Sequence, residues 1–329
     1  MIASIPLQPP VQTPVQTAAG TFAADVLEGL TRPGQKTLPS SWLYDDVGSA
    51  LFEVITLLPE YGLTRADAAL LRGAAGAVAE MAGQPARIVE FGSGSGSKTR
   101  CILEAALASR PVEYAPIDIS RAALENCASN LRGLPGLTVR PVEACYLSGL
   151  AETLAGRGTD DRTLLLFLGS TIGNFSPDQA ATFLRSARQQ MRPGDSLLLG
   201  ADLVKPREQL LAAYDDPLGV TAAFNLNLLA RINRELGGEF QPGRFAHEAR
   251  FDQQHSRIEM HLRARVAQKV WIEGLHRIVS FEAGETIWTE SSYKFLTSDI
   301  AEIGAEAGWT IAQQWVDHEW GFAETLFSA

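Results

Sequence analysis

Residues 89–100 read VEFGSGSGSKTR. An apolar run stops at Glu90, then Gly92, Gly94 and Gly96 follow at alternate positions, with Lys98 just behind them. Glycines at this spacing let a backbone approach a ligand closely, and a carboxylate and an ammonium lie within reach of whatever binds. The GxGxG spacing lacks the framing of a phosphate-binding GxxxxGK[ST] loop. It also lacks the third glycine of GxGxxG, which allows close helix packing in dinucleotide sites. On its own the loop also reads as a tight strand-to-helix turn with no ligand.

The elements around it decide where such a loop sits. RIVEF (87–91) reads as a short buried strand. Helical patterns over 98–109, 121–133 and 177–191 alternate with strand patterns over 112–120, 137–144, 163–169 and 195–204. Parallel strands need crossover connections, so this alternation predicts a parallel sheet with helices on both faces. WTIAQQWVDH and WGFAETLF are separated by a very short turn and predict a terminal antiparallel hairpin. Residues 205–290 break the rhythm: a long helical stretch precedes HEARFDQQ, SRIEMHLRARVAQKVWI and LHRIVSF. There Ile258, Met260 and Leu262 alternate as in half-buried antiparallel strands. Upstream, helical spacing covers 21–31 and 49–57, and a further helix of about twenty residues is expected to start at Thr64, with Asp67 completing a near capping box.

Asp118 ends the second strand of the alternating region, inside PIDIS. In doubly wound sheets an acid there accepts hydrogen bonds from ribose hydroxyls, and ligands bind at the carboxyl ends of the strands. An adenosine-type ligand therefore fits. Glu90, directly before the loop, would repel a pyrophosphate and suits a cation; S-adenosylmethionine carries a sulfonium and an ammonium. A parallel sheet closed by an antiparallel hairpin is the pattern of class I methyltransferases. The expected fold class is therefore α/β: a class I (Rossmann-like) core ending in that hairpin, plus an α+β substrate-binding domain. An NAD(P)-dependent oxidoreductase is the alternative from a different class, disfavoured by the loop spacing and the hairpin.

Bulk properties narrow the partners. The chain has 329 residues, 46% hydrophobic and 20% charged, with a formal net charge of −10. Nucleic-acid binders show basic faces, whereas Lys and Arg here occur in no cluster longer than a pair, so no nucleic-acid partner is expected. No stretch approaches the roughly 18 apolar residues of a membrane span. The three cysteines, Cys101, Cys127 and Cys145, form no CxxC and read as reduced thiols. The five histidines show no metal spacing, so no metal is expected. Residues 1–20 lack the regions of a signal peptide and read as a disordered tail. A cytoplasmic monomer is expected.

Longer motifs point further. LPSSWLYDDVGSALFEVITLLPEYGLTR, EFGSGSGSKTR, FLGSTIGNF, LLLGADLVK, AYDDPLGVTAAFN, RIEMHLRAR and TESSYKF occur in this order. In this the chain resembles the L-histidine Nα-methyltransferases of ergothioneine biosynthesis over residues 25–329. The resemblance implies a donor, S-adenosylmethionine, and three methylations of the α-amine of free L-histidine, giving hercynine. It implies a substrate-binding domain of residues 21–65 and 205–293, and a methyltransferase domain of residues 66–204 and 294–329. It places the donor on Gly92, Gly94, Lys98 and Asp118, with Cys145 and Tyr146 at its adenine end. It assigns histidine's carboxylate to Asn174 and Tyr214, its amine to the catalytic candidates Tyr44 and Tyr61, and its imidazole to Glu290 and Ser292 beside Met260.

Two positions depart from the family. Cys145-Tyr146 stands where Asp-Phe is usual, and a thiol is a weak acceptor for the adenine amino group, leaving Glu143 or a backbone group to substitute. Gly62 stands where a second tyrosine is common after PEY. Without the resemblance, Tyr61, Tyr214 and Met260 read as core and Glu290 as a solvated strand charge. A same-fold enzyme for another aromatic amino acid, such as tryptophan, remains an alternative, as does a non-catalytic module that binds S-adenosylmethionine.

Overall fold

A computed structural model describes residues 21–158 and 161–329; the expected tail at 1–20 lies outside the described residues. The main sheet uses, in chain order, Arg87–Phe91, Val112–Asp118, Leu137–Val139 continued by Val142–Glu143, Thr163–Phe167, Ser196–Asp202, Thr310–Asp317 and Phe322–Ser328. Counted in that order, the strands lie 3-2-1-4-5-7-6 across the sheet. The first five are parallel. The last strand is wedged antiparallel between the fifth and sixth, an insertion into the usual 3-2-1-4-5-6 doubly wound order. Pro141 separates the two pieces of the third strand, since proline has no N–H to give a ladder.

The sheet's two faces carry separate apolar layers. Val89 and Phe91 join one, with Leu150 and Phe183 from helices Tyr146–Leu154 and Pro177–Arg188. Ile88 joins the other, with Val78 and Ile102 from helices Leu63–Met81 and Arg100–Leu107. This is the period-two alternation of a strand buried on both faces.

A second sheet of four strands runs Lys36–Thr37, Thr286–Tyr293, Arg257–Ala264, Phe245–Asp252. Its apolar cluster takes in helices Phe22–Thr31 and Val220–Leu236. Ile258, Met260 and Leu262 are buried together there, as their alternation predicts. The expected long strand over 256–272 is instead two, Arg257–Ala264 and Gln268–Ile272, the latter forming a separate two-stranded ladder with Arg277–Phe281. The chain bends at residues 265–266, where the pairing with the neighbouring strand ends in a last bond from Arg265 N–H to Arg244 C=O.

The helix expected to begin at Thr64 is capped by Gly62 with no side-chain cap bond. The turn before it already closes through Tyr61 N–H to Leu58 C=O at 3.1 Å, and Arg65 holds the carbonyls of Leu58 and Pro59. Thr64 therefore falls inside the first turn, and Asp67 is free for another task described below. Gly62 itself is fixed by packing: a Cβ there would lie 2.2 Å from Cε3 of Trp320. The Trp320 indole occupies the space a side chain at 62 would need. Gly62→Ala is expected to cost about 1–3 kcal/mol through overpacking, read from denaturant midpoints. In a Trp320→Ala background the same change should be nearly neutral.

Candidate active site

The carboxyl ends of the main sheet's strands open into a cavity of about 620 Å³ that reaches the second sheet. Tyr44, Tyr61, Gly92, Gly94, Lys98, Asp118, Tyr146, Asn174, Tyr214, Met260, Glu290 and Ser292 all line it. Cys145 does not: it is the N-cap of Tyr146–Leu154, and the chain turns so that the next residue faces inward. The Tyr146 ring stacks on Phe91 with centroids 5.0 Å apart.

On the sheet side the glycine loop is built for close approach. Gly92 has φ +68°, and a Cβ there would lie 2.9 Å from Tyr146 Oη. Glycine alone takes that backbone without strain and leaves the cradle open. Glu90 does not simply face the ligand as a free anion. It accepts hydrogen bonds from Thr99 Oγ1 at 2.7 and 2.9 Å and from Tyr114 Oη, tying the loop's far end to the second strand. Burial pushes its pKa to about 7, with the Tyr114 and Thr99 bonds opposing the rise, so near neutral pH it carries only part of a charge. Asp118 accepts from Ser120 N–H at 2.9 Å and faces the cavity at the end of its strand.

Lys98 is ion-paired with the fully buried Asp67 of the Leu63–Met81 helix. Burial pulls the Lys98 pKa down, but the Asp67 carboxylate outweighs it and the net shift is upward. Lys98 thus stays charged under the loop.

The opposite wall comes from dispersed chain segments. Tyr44 follows the 3-10 turn Ser40–Leu43, and its ring meets Phe52 and Phe224 edge-on, each at 5.4 Å. Tyr61 and Tyr214 meet edge-on at 6.1 Å. Asn174 ends a 3-10 turn after the fourth strand, entered through Gly169 and Ser170, both at positive φ. Glu290 and Met260 face each other across neighbouring strands, beside a register shift between Trp288 and Glu290. Such bulges re-aim side chains near sites, and here Glu290 and Ser292 point into the cavity together. Burial pushes Glu290 to about 7, partly opposed by Lys294. Burial, then the Glu290 charge, raises Tyr44 well above the usual phenol range. Burial, then neighbouring Tyr214, does the same for Tyr61. Both tyrosines are neutral at physiological pH.

Several partners escaped the sequence reading. Asp202 ends the fifth strand as Asp118 ends the second, so its position carried the same signal. Lys294, flanked by Tyr293 and Phe295, gave only the hint of a charge inside an apolar run. Asp67 was hidden by its resemblance to a capping residue.

Strand order, an open glycine cradle and an acid at the end of the second strand define a class I methyltransferase with a site for S-adenosylmethionine. Residues 22–329 match the family model for histidine-specific, SAM-dependent methyltransferases. The chain is 41% identical over 311 residues to the histidine N-alpha-methyltransferase of Mycolicibacterium smegmatis, covering 94% of this chain and 95% of that one. It is 43% identical over 304 residues to the histidine N-alpha-methyltransferase of Mycobacterium tuberculosis, covering 92% and 93%. Ergothioneine biosynthesis protein 1 of Neurospora crassa is 33% identical over 63% of this chain, which spans 24% of that protein. The chain belongs to the family of histidine-specific, S-adenosylmethionine-dependent methyltransferases. Among the described residues, no helix is long and apolar enough to cross a membrane.

Two outcomes follow from this geometry. Gly92→Ala fills the cradle and strains the turn, and should weaken binding of S-adenosylhomocysteine at least about tenfold in a titration, the equivalent of about 1.4 kcal/mol. For Glu290, the folded pKa near 7 lies above the ordinary carboxyl value of 4.5, so folding favours the protonated form. Its ionisation costs nothing below pH 4.5, and the penalty grows as pH rises through 7. Glu290→Gln should therefore be more stable than the parent by about 1–3 kcal/mol at pH 8 and no more stable at pH 4.5, as read by denaturant unfolding at the two pH values.

Proposed function

We propose that the chain transfers three methyl groups in succession from S-adenosylmethionine to the α-amine of free L-histidine, giving hercynine for ergothioneine biosynthesis. Gly92, Gly94, Lys98, Asp118 and Tyr146 would hold the donor. When bound it supplies an electrophilic methyl carbon on a sulfonium. What the chain must add is mostly position, because in-line displacement needs a neutral amine with its lone pair aimed at that carbon.

The observation that carries the substrate assignment is the pairing of Glu290 with Ser292 on one strand, facing the cavity next to Met260. A carboxylate accepts an imidazole N–H, and a hydroxyl can donate to the other ring nitrogen. A neutral imidazole has one donor and one acceptor and satisfies both; an indole has only a donor. The tryptophan reading therefore leaves Ser292 without a ring partner. Leucine or phenylalanine would leave both groups unpaired, which is costly in a buried site. Asn174 and Tyr214 would take the carboxylate.

Tyr44 and Tyr61 would orient the amine. Their raised pKa values rule out a standing phenolate at neutral pH, so they act as neutral hydrogen-bond partners and as ring faces. The final product is a quaternary ammonium with no N–H to donate. Aromatic faces attract such a cation by about 0.5–2 kcal/mol, so the same walls serve all three rounds.

The proposed domain boundaries are 65/66, 204/205 and 293/294; the grouping of Leu63, Leu210 and Ile287 in one apolar cluster and of Leu71 and Leu203 in others supports them, while Ala66 and Phe322 join the first cluster and Tyr293 another across these lines. Cys101, Cys127 and Cys145 are free thiols, which suits a reducing cytoplasm.

Incubation with donor and each of the twenty amino acids, read by mass, should give one, two and three added methyl groups on histidine alone. Methylation of tryptophan in preference would replace the reading with its same-fold alternative. Glu290→Ala should raise the histidine KM about 10–100-fold, as expected for a lost hydrogen bond to a charged group. Affinity for S-adenosylhomocysteine should stay nearly constant; equal losses of both would remove Glu290 from the substrate wall.

A further inference from the structure

Behind the substrate wall lies a buried cation that methyl transfer itself does not require. Lys294 follows the TESSY strand, and its side chain is fully buried. Its Nζ contacts Tyr214 Oη at 2.8 Å, Ser292 Oγ at 2.8 Å and Asp202 Oδ2 at 3.0 Å. An ammonium has three protons and no lone pair, so it donates in every contact and accepts in none. All three protons are thereby committed.

The consequence falls on the two hydroxyls. Ser292 Oγ accepts from Lys294 and from Tyr214, both at 2.8 Å. In the ligand-free protein its lone pairs are used and its own proton remains to be donated; when Tyr214 turns away, Lys294 still fills one of them. Tyr214 Oη accepts from Lys294 and is hydrogen-bonded to Tyr61. Its proton rests on Ser292 in the ligand-free protein and can turn toward a stronger acceptor. Asp202 is the carboxylate in direct contact with Lys294. It also pairs with Lys205 and accepts from Trp320 Nε1 at 3.2 Å. Burial lowers the Lys205 pKa, to about 8, which still leaves it mostly charged at neutral pH. Asp317 lies near Lys205 and Glu290 near Lys294, so the two ammonium groups are shared among three carboxyl groups, of which Glu290 is only partly ionised near neutral pH.

We propose that Lys294 is a positioning residue that sets the hydrogen-bond polarity of the substrate wall. By filling one acceptor site on each of Tyr214 and Ser292, it biases both hydroxyls to donate toward the cavity. Tyr214 then offers its proton to the substrate carboxylate, and Ser292 to the lone pair of the ring. The buried ammonium behind Tyr214 also favours an anion at that hydroxyl. The site thereby selects free α-amino acids over amines that lack the carboxyl group. This rests on the histidine reading above.

The test compares histidine with histamine, which keeps the ring and a primary amine but has no carboxylate. The parent should prefer histidine in kcat/KM, and Lys294→Met should shrink that preference by about tenfold or more. The loss should lie mainly in the histidine KM, as for removal of uniform binding, with S-adenosylhomocysteine affinity changed less than about threefold. Added to Tyr214→Phe, the same substitution should cost much less than it does alone, because both changes break one unit. Lys294→Gln, shorter and neutral, is the second variant should methionine fail to fold, with the same shift in preference expected. An unchanged histidine-to-histamine ratio in a folded variant, or penalties that simply add with Tyr214→Phe, would overturn the proposal. If the parent leaves histidine unmethylated, the functional reading itself fails; if it turns histidine over, the variants bear on Lys294 alone.

Discussion

Five parallel strands put their carboxyl ends on one edge of a sheet, and the rest of the site depends on that constraint. Backbone ladders exhaust the interior polar groups of those strands, so side chains that must meet a ligand can only emerge where the ladders stop. Glu90 and Asp118 lie at the ends of the first two strands, Asn174 in the turn after the fourth and Asp202 at the end of the fifth. The wedged terminal strand then completes the sheet and carries the turn whose Trp320 packs on Gly62 and reaches Asp202. The second sheet covers this edge and lines the far side of the cavity with Met260, Glu290 and Ser292.

Closing two sheets over one cavity strands several ionisable groups away from water, and some of them, such as Lys98 with Asp67 and Lys294 with Asp202, are answered by an element distant in sequence. Lys98 sits among Asp67, Glu90 and Glu324, the last fully buried on the terminal strand and pushed well above the ordinary carboxyl range by burial and then by Asp67. On the substrate side, Asp202 joins Lys205, Lys294 and Trp320. Such groups are poor contributors to stability, because desolvation offsets much of the Coulomb attraction. What they provide is fixed geometry: a charged Lys98 under the glycine loop, and oriented hydroxyls on the wall opposite.

What could be read from the sequence was local. The glycine loop, the alternating strands and helices, the terminal hairpin and Asp118 each leave their signal within a few residues. Most residues of the cavity's far wall were reached only through the longer family motifs, since nothing near Glu290 or Tyr214 sets it apart from a strand charge or a core tyrosine; Asn174, just past the buried fourth strand and beside the crevice, is the exception. Lys294 meets Tyr214 across 80 residues, and the Lys98 contact turns Asp67 from an apparent capping residue into a buried counter-ion. The bend at 265–266 that splits one alternating run into strands of two sheets is likewise set by tertiary pairing. At Cys145 the residue type suggested a weakened donor contact, while the backbone turns that thiol away from the cavity and presents Tyr146.

The most direct measurement is the NMR spectrum of the product formed from histidine and a donor labelled with ¹³C in its transferable methyl group. Exhaustive transfer to the α-nitrogen predicts a single methyl resonance from three equivalent methyl groups, coupled to the α-carbon position and not to the ring. A labelled methyl on an imidazole nitrogen, or a product that stops at one methyl under excess donor, would contradict the account.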